Sequence, residues 1–316
     1  MLNKRYNSIG SWLNRRFGER VFKVSLESGL SCPNRDGKIG RSGCIFCNEA
    51  AYYPATSPVT GAMGKAISAQ LEEGIAYIKD RHKASRFIAY FQSGSSTHAP
   101  ASALASIFKD ATSHPEVVGI AVSTRPDCID SDRASLLAKL AEERLVWVEL
   151  GLQSSHDDTL ARIRRGHDTA CFLRAAETLA NAGIPVCAHL ILGLPGEDAG
   201  MMKETARFLN IAGVWGVKIH NLHILEGTEL ERNYREGEIP LPSLDEYASW
   251  VADFLEELDP ETVVHRVSGH SPRRLNVAPD WSVNKLGIMN AVEREMANRK
   301  SRQGKLFQRT ERQTWK

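Results

Sequence analysis

A chain of 316 residues, 42% of them hydrophobic, is long enough for one large barrel or two ordinary domains. A nearly neutral formal net charge of +2 singles out no class of partner, and no run of about 18 apolar residues marks a membrane span. Six cysteines are too few for a secreted disulfide scaffold, and the N-terminus, with Lys4, Arg15, Arg16 and Arg20, has no apolar signal core, so a reducing, cytoplasmic setting and no membrane partner are expected.

Residues 1–20 are rich in basic and aromatic groups. Tyr6, Trp12 and Phe17 suit either nucleobase stacking or, more simply, packing as a short N-terminal lid. Val21 to Ser25 alternates apolar residues as a first strand and runs straight into a cysteine-bearing loop, after which 48–60 is a turn-rich connection. Ile67, Leu71, Ile75 and Ile78 then repeat at helical spacing within a helix over 63–80. Strand and helix alternate from there: strands over 87–91, 119–123, 145–152, 185–192 and 216–221, with helices over 101–110, 131–143, 156–163, 169–182 and 198–212. Such alternation forces parallel strands with helices outside them, and reactive groups gather where the strands end. Pattern alone does not separate a barrel from an open doubly wound sheet. Beyond Leu222 come a helix over 241–258, a strand over 263–267, a basic loop at 268–274, a helix over 283–298 and a basic tail. We therefore expect a core over 1–260, including the lid at 1–20, and a C-terminal extension with its tail over 261–316. The tail is either merely solvated or a contact for a nucleic-acid backbone.

The loop carries Cys32, Cys44 and Cys47. The last two are close enough to aim both sulfurs at one centre, and the Gly, Asn and Asp residues between Cys32 and Cys44 let the third swing round. A closed zinc site needs four ligands, and no fourth Cys or His follows at finger or ribbon spacing. Three thiolates on a cubane iron–sulfur cluster leave one iron open, which suits chemistry. An iron–sulfur site, zinc and unligated thiols all stay open on these residues alone.

The loop resembles that of the radical S-adenosylmethionine (SAM) enzymes, in the long-spaced variant of the YhcC-like family and the elongator catalytic subunit. The likeness continues through Tyr90-Phe91-Gln92, Thr124-Arg125-Pro126-Asp127-Cys128, Glu149-Leu150-Gly151-Leu152-Gln153-Ser154, Arg165-Gly166-His167-Asp168, His189 to Glu197 and Lys218-Ile219-His220, covering the chain to about residue 270. Glu27 to Ser31 and Ser93 to His98 depart mildly from the family pattern. The resemblance implies an α/β fold, a six-stranded partial (β/α)6 barrel of TIM type. It further implies a [4Fe-4S] cluster on Cys32, Cys44 and Cys47 and SAM as the second cofactor, chelating the fourth iron. An electron donor such as flavodoxin or ferredoxin would supply the electron that cleaves SAM to a 5′-deoxyadenosyl radical.

By the same resemblance Gln92, Ser93 and Gly94 handle the SAM amino group, Gln153 and Ser154 lie near SAM, Arg165 pairs with its carboxylate, and Gly193 and Leu194 pack the adenine. Glu149 joins this set because a carboxylate in an apolar strand must be hydrogen bonded, which points to a polar pocket. Arg125 and Asp127 either pair with each other or meet substrate. His189 suits a satisfied core histidine better than a substrate contact, Lys218 and His220 share one strand face, and Cys171 and Cys187 read as buried thiols. The family connection suggests modification of a tRNA wobble uridine by carbon–carbon bond formation at C5, with tRNA as partner. The rivals are a radical enzyme for a small molecule such as a tetrapyrrole, and a zinc-stabilised nucleic-acid-binding protein that is no enzyme.

Overall fold

A computed structural model describes residues 4–48, 66–92, 94–269 and 271–309. In chain order the elements are α1 (Ile9–Phe17), β1 (Val21–Leu26), α2 (Ile67–Arg81), β2 (Arg86–Phe91), α3 (Ala101–Thr112), β3 (Val117–Thr124), α4 (Ser131–Ala141), β4 (Leu145–Gln153), α5 (Asp157–Arg162) and α6 (Thr169–Asn181). They continue with β5 (Val186–Leu192), α7 (Ala199–Ile211), β6 (Gly216–Asn221), β7 (Ile224–Leu225), α8 (Glu229–Arg235), α9 (Leu244–Glu257), β8 (Val263–Arg266), β9 (Asn276–Ala278) and α10 (Lys285–Asn298). Ser93, His270, the 49–65 stretch and the tail from 310 lie outside the described residues, so the expected connection at 48–60 and the first residues of the helix over 63–80 are not described beyond Asn48 and before Ala66.

The strand–helix alternation gives one parallel sheet in the order β1-β2-β3-β4-β5-β6-β8. One face packs under the helices: Phe87, Phe91, Ile120, Val122, Val148 and Leu150 meet Leu71, Phe108, Leu137, Phe172 and Leu179 in the main core. Each such fully buried side chain contributes about 1.5–3 kcal/mol. Alternate residues of the same strands turn the other way, and there they are Lys23, Tyr90, Ser123, Glu149, His189 and Lys218. The sheet therefore has an apolar outer face and an inner face that is polar around Glu149 and apolar where Ile88, Ala121, Trp147 and Trp215 cluster.

Its curvature is visible in two contacts. Lys23 on β1 lies 3.2 Å from Glu149 on β4, and His265 on β8, the opposite edge, lies 3.4 Å from the same carboxylate. In a flat sheet each edge strand would stand about 14 Å from β4, three strand spacings away. Both edges reach the middle because the sheet curls into a half-barrel.

The architecture has one strand more than the six expected. The strand over 263–267, expected within the C-terminal extension, pairs in parallel with β6 as β8. Its crossover helix α9 obeys the same β-α-β logic, but β7 and α8 intervene and mask the repeat in the sequence. The β7–β9 antiparallel pair was likewise illegible, being only two or three residues long. The N-terminal lid is a helix, α1, which Ser8 caps and which packs on β1 and β8. Trp12 there meets Trp215 edge-on at 5.1 Å.

Candidate active site

The cysteine loop is tied into the carboxyl ends of the strands. Gly37 and Gly43 take left-handed backbone (φ 96° and 72°), letting the loop turn back so that Gly43 N–H donates to Asn34 O at 2.8 Å. Asn34 donates to Arg164 O at 2.8 Å and approaches Cys44 Sγ at 3.7 Å. Arg165 donates to Gly151 O at 2.7 Å and reaches Cys44 Sγ at 3.6 Å. Gly151 is needed there, since a Cβ would stand 2.3 Å from the Arg165 guanidinium. The Arg-Gly-His segment thus clamps the loop to the end of β4.

Cys32, Cys44 and Cys47 are all free thiols. Burial, then the neighbouring Cys44, pushes the Cys47 thiol up to about 11, with Cys32 adding to the rise and Arg35 opposing it. Among the described residues no three His, Cys, Asp or Glu side chains are grouped to hold a single metal ion. A cubane asks for something else, one thiolate on each of three irons. The donor set fits that group: three thiols without carboxylates, with Asn34 and Arg165 N–H groups directed at sulfur, the kind of hydrogen bond that tunes such a cluster.

The remaining sequence-selected residues line or brace the same mouth. Gln92 follows the end of β2 half-buried, and Ser93 is outside the described residues. Gly94 (φ 64°) lies against the Leu30 carbonyl, which a Cβ would approach to 2.5 Å, so this turn closes on the cysteine loop. Gln153 has φ 81°, rare for a residue with a side chain and common where strands end at functional sites. Ser154 is buried and donates to Glu197, joining the ends of β4 and β5. Gly193 (φ 85°) turns beneath Trp250, and Leu194 is buried with Ile45, Leu160, Ile163 and Leu222 under the cysteine loop. Arg125 pairs with Asp127 at 2.8 and 3.2 Å and also donates to Arg165 O at 2.9 Å, so the pairing reading of those two residues holds.

Two of the sequence-selected residues are engaged by other groups of the protein. Arg165 is only 7% exposed, and its described contacts are Gly151 O and Cys44 Sγ, which makes it a brace for the loop. Glu149 is fully buried, and its oxygens accept from Lys218 (2.7 Å), Tyr90 (2.8 Å), His189 (2.7 Å), Ser123 (3.2 Å), Lys23 (3.2 Å) and Trp147 (3.2 Å). It sits in the expected polar pocket, yet protein donors already occupy it. Burial works against its charge, but Lys218 and Lys23 prevail and hold the carboxyl well below the usual range. Lys218 is lowered to about 8 by burial despite Glu149, and also hydrogen bonds Tyr90. His189 is a satisfied histidine, lowered to about 4 by burial and by Lys218. Cys187 is buried as expected, whereas Cys171 is half-buried.

The sequence reading did not find the link between Asp36 and His98 at 2.8 Å, which ties the cysteine loop to the turn after β2. His98 Nδ1 also lies 3.8 Å from Cys128 Sγ. No spacing signals these contacts, because their members lie on loops far apart in the chain.

A parallel half-barrel with a three-cysteine loop at its carboxyl mouth defines the class: the chain belongs to the radical SAM superfamily, whose model matches residues 32–209, with a radical SAM C-terminal domain matching 214–298. It is closely similar to YtqA of Bacillus subtilis (41% identity, 98% of this chain and 94% of that one) and to YhcC of Escherichia coli (37%, 93% of each). More distant is a tRNA uridine(34) acetyltransferase of Methanocaldococcus infernus, 31% identical over 48% of this chain and 28% of that protein. The solved structure of Elp3 from the same archaeon shares the fold, with a TM-score of 0.67 at 19% identity over 90% of this chain and 64% of that one, less than two thirds of its length. Among the described residues no helix is long and apolar enough to cross a membrane.

Proposed function

We propose that this protein is a radical SAM enzyme that modifies a tRNA wobble uridine, forming a carbon–carbon bond at C5. Cys32, Cys44 and Cys47 would hold a [4Fe-4S] cluster, with SAM on the iron they leave free. With an electron from a donor such as flavodoxin or ferredoxin, that pair supplies reductive cleavage of SAM and a 5′-deoxyadenosyl radical able to abstract hydrogen. The chain's own part is positional. Arg165 and Asn34 fix the loop and direct N–H groups at Cys44, the turn at Gly94 and the strained Gln153 offer backbone for close approach, and Leu194 packs beneath the loop and supports it. The carrying observation is a loop of three free thiols clamped at the strand ends by Arg165. The tRNA part is supported by the partial likeness to a tRNA uridine(34) acetyltransferase.

The test has two stages. Anaerobic reconstitution should give a brown protein absorbing near about 400 nm and cleaving SAM under reduction, both lost in Cys44→Ser; a colourless zinc protein would overturn the cofactor reading. Wobble nucleosides from cells with and without the gene should then differ. Identical nucleosides alongside intact SAM cleavage would remove tRNA and leave the radical chemistry.

A further inference from the structure

The polar interior of the half-barrel carries more positive charge than its one bonded carboxylate neutralises. Lys23 and Lys218 both bind Glu149. Arg266 is the register partner of Lys218 across the β6–β8 pair, just past a register shift at which His265 is the extra residue, and it lies close enough to Lys218, His189 and Tyr90 for its charge to act on all three. Among the described residues Arg266 makes no hydrogen bond or ion pair, while Glu149 is the one carboxylate bonded to this ring. Three cations therefore surround a single anion.

A second observation points the same way. His220 stands two residues beyond Lys218 on β6, one step closer to the mouth, with its ring centroid 5.6 Å from that of His189. Its Nε2 is buried and has no hydrogen-bond partner, a cost a native interior rarely leaves unmet. The side chains of His189 and Lys23 keep 17% and 26% of their exposure, so part of this polar cluster is open to solvent.

We infer that this interior binds a carboxylate of the substrate, received by Arg266 and by His220 Nε2–H between the Glu149 hub and the cysteine-bearing mouth. A guanidinium presents paired N–H donors that match the two oxygens of a carboxylate, and the bound anion would balance the excess charge. The hub itself stays intact, for Glu149 keeps Lys218 and Lys23 in place. The direction in which the rest of the substrate faces rests on the radical SAM reading; the anion site does not.

The probe is acetate, titrated into the full chain in chloride-free buffer and followed by NMR line broadening, with uridine as competitor. Saturable binding to the native chain is expected, weakened tenfold or more in Arg266→Met and in His220→Phe, partly retained in Arg266→Lys, with SAM affinity unchanged. Uridine should not compete. No saturable binding of acetate, or binding indifferent to Arg266→Met in a variant with native circular dichroism, overturns the proposal. Absence of SAM cleavage with acetate binding intact would instead count against the radical reading alone.

Discussion

Glu149 is the residue on which the interior depends. Removing one partner of a buried ion pair leaves the other uncompensated, which costs about 3–5 kcal/mol. Glu149→Ala should lower stability by that order in denaturant unfolding, and Lys218→Met by less, because Lys23 still faces the carboxylate. An unchanged midpoint in Glu149→Ala would show that the hub is not structural. The buried histidines set the acid limb of the stability curve. His189 and His265 are held at about 4 and about 3, chiefly by burial, against about 6.5 in the unfolded chain. Below about pH 6.5 the unfolded state takes up protons the folded state refuses, so stability is full above that pH and falls as pH drops toward 4. For His189 alone the loss approaches about 3 kcal/mol by pH 4. His189→Phe should flatten the decline between pH 6.5 and 4, measured by urea unfolding across that range. In the sequence Glu149 was recognisable as a carboxylate needing partners, because burial of a charge in an apolar strand is costly. The identity of those partners was not recognisable, since all seven strands of the main sheet contribute them.

At the scale of elements, capping and close approach decide placement. α9 begins with Ser243 and Glu246 in a reciprocal capping box, while Asp130, Asp168 and Asp198 cap α4, α6 and α7. Ser243→Ala should cost about 1 kcal/mol, read as a shift in the thermal midpoint. α2 lies so near β1 that a Cβ on Gly74 would meet Val24 at 2.4 Å. Gly74→Ala should therefore destabilise by about 1–3 kcal/mol, although alanine is the better helix former; a gain in stability would mean the helix can shift outward. Helices and strands of the repeating part were legible because apolar spacing and caps are local. α8, β7 and β9 were not, being too short for any period to show.

For the molecule as a whole, the segments around Asn7 and Gln303 meet beside β8. Gln303, only 5% exposed, donates to Asp259 O at 2.7 Å and Thr262 O at 2.8 Å and accepts from Asn7 N at 2.9 Å. Ser8 also bridges to Val264. The β8 edge of the half-barrel is thus fastened by Asn7, Ser8 and Gln303. Gln303→Ala leaves Thr262 O and Asn7 N–H without this partner, while Asp259 O keeps Thr262 N–H at 3.0 Å, and should cost about 1–3 kcal/mol, with faster amide exchange in β8 than in β4; uniform exchange would remove the idea of a fastened edge. Residues beyond 300, expected as a solvated or nucleic-acid-binding tail, include this structural staple as far as they are described.

By itself the sequence determined the parallel α/β class, the three-cysteine loop and the motifs at the strand ends, because hydrophobic period, turn residues and ligand spacing act over a few neighbouring positions. Only the tertiary structure decided that β8 makes a seventh strand, that Arg165 braces the loop, and that Lys23, Tyr90, His189, Lys218 and His265 converge on Glu149. Those contacts join residues far apart in the chain, and they exist only because the sheet curls enough to bring its two edges to its middle.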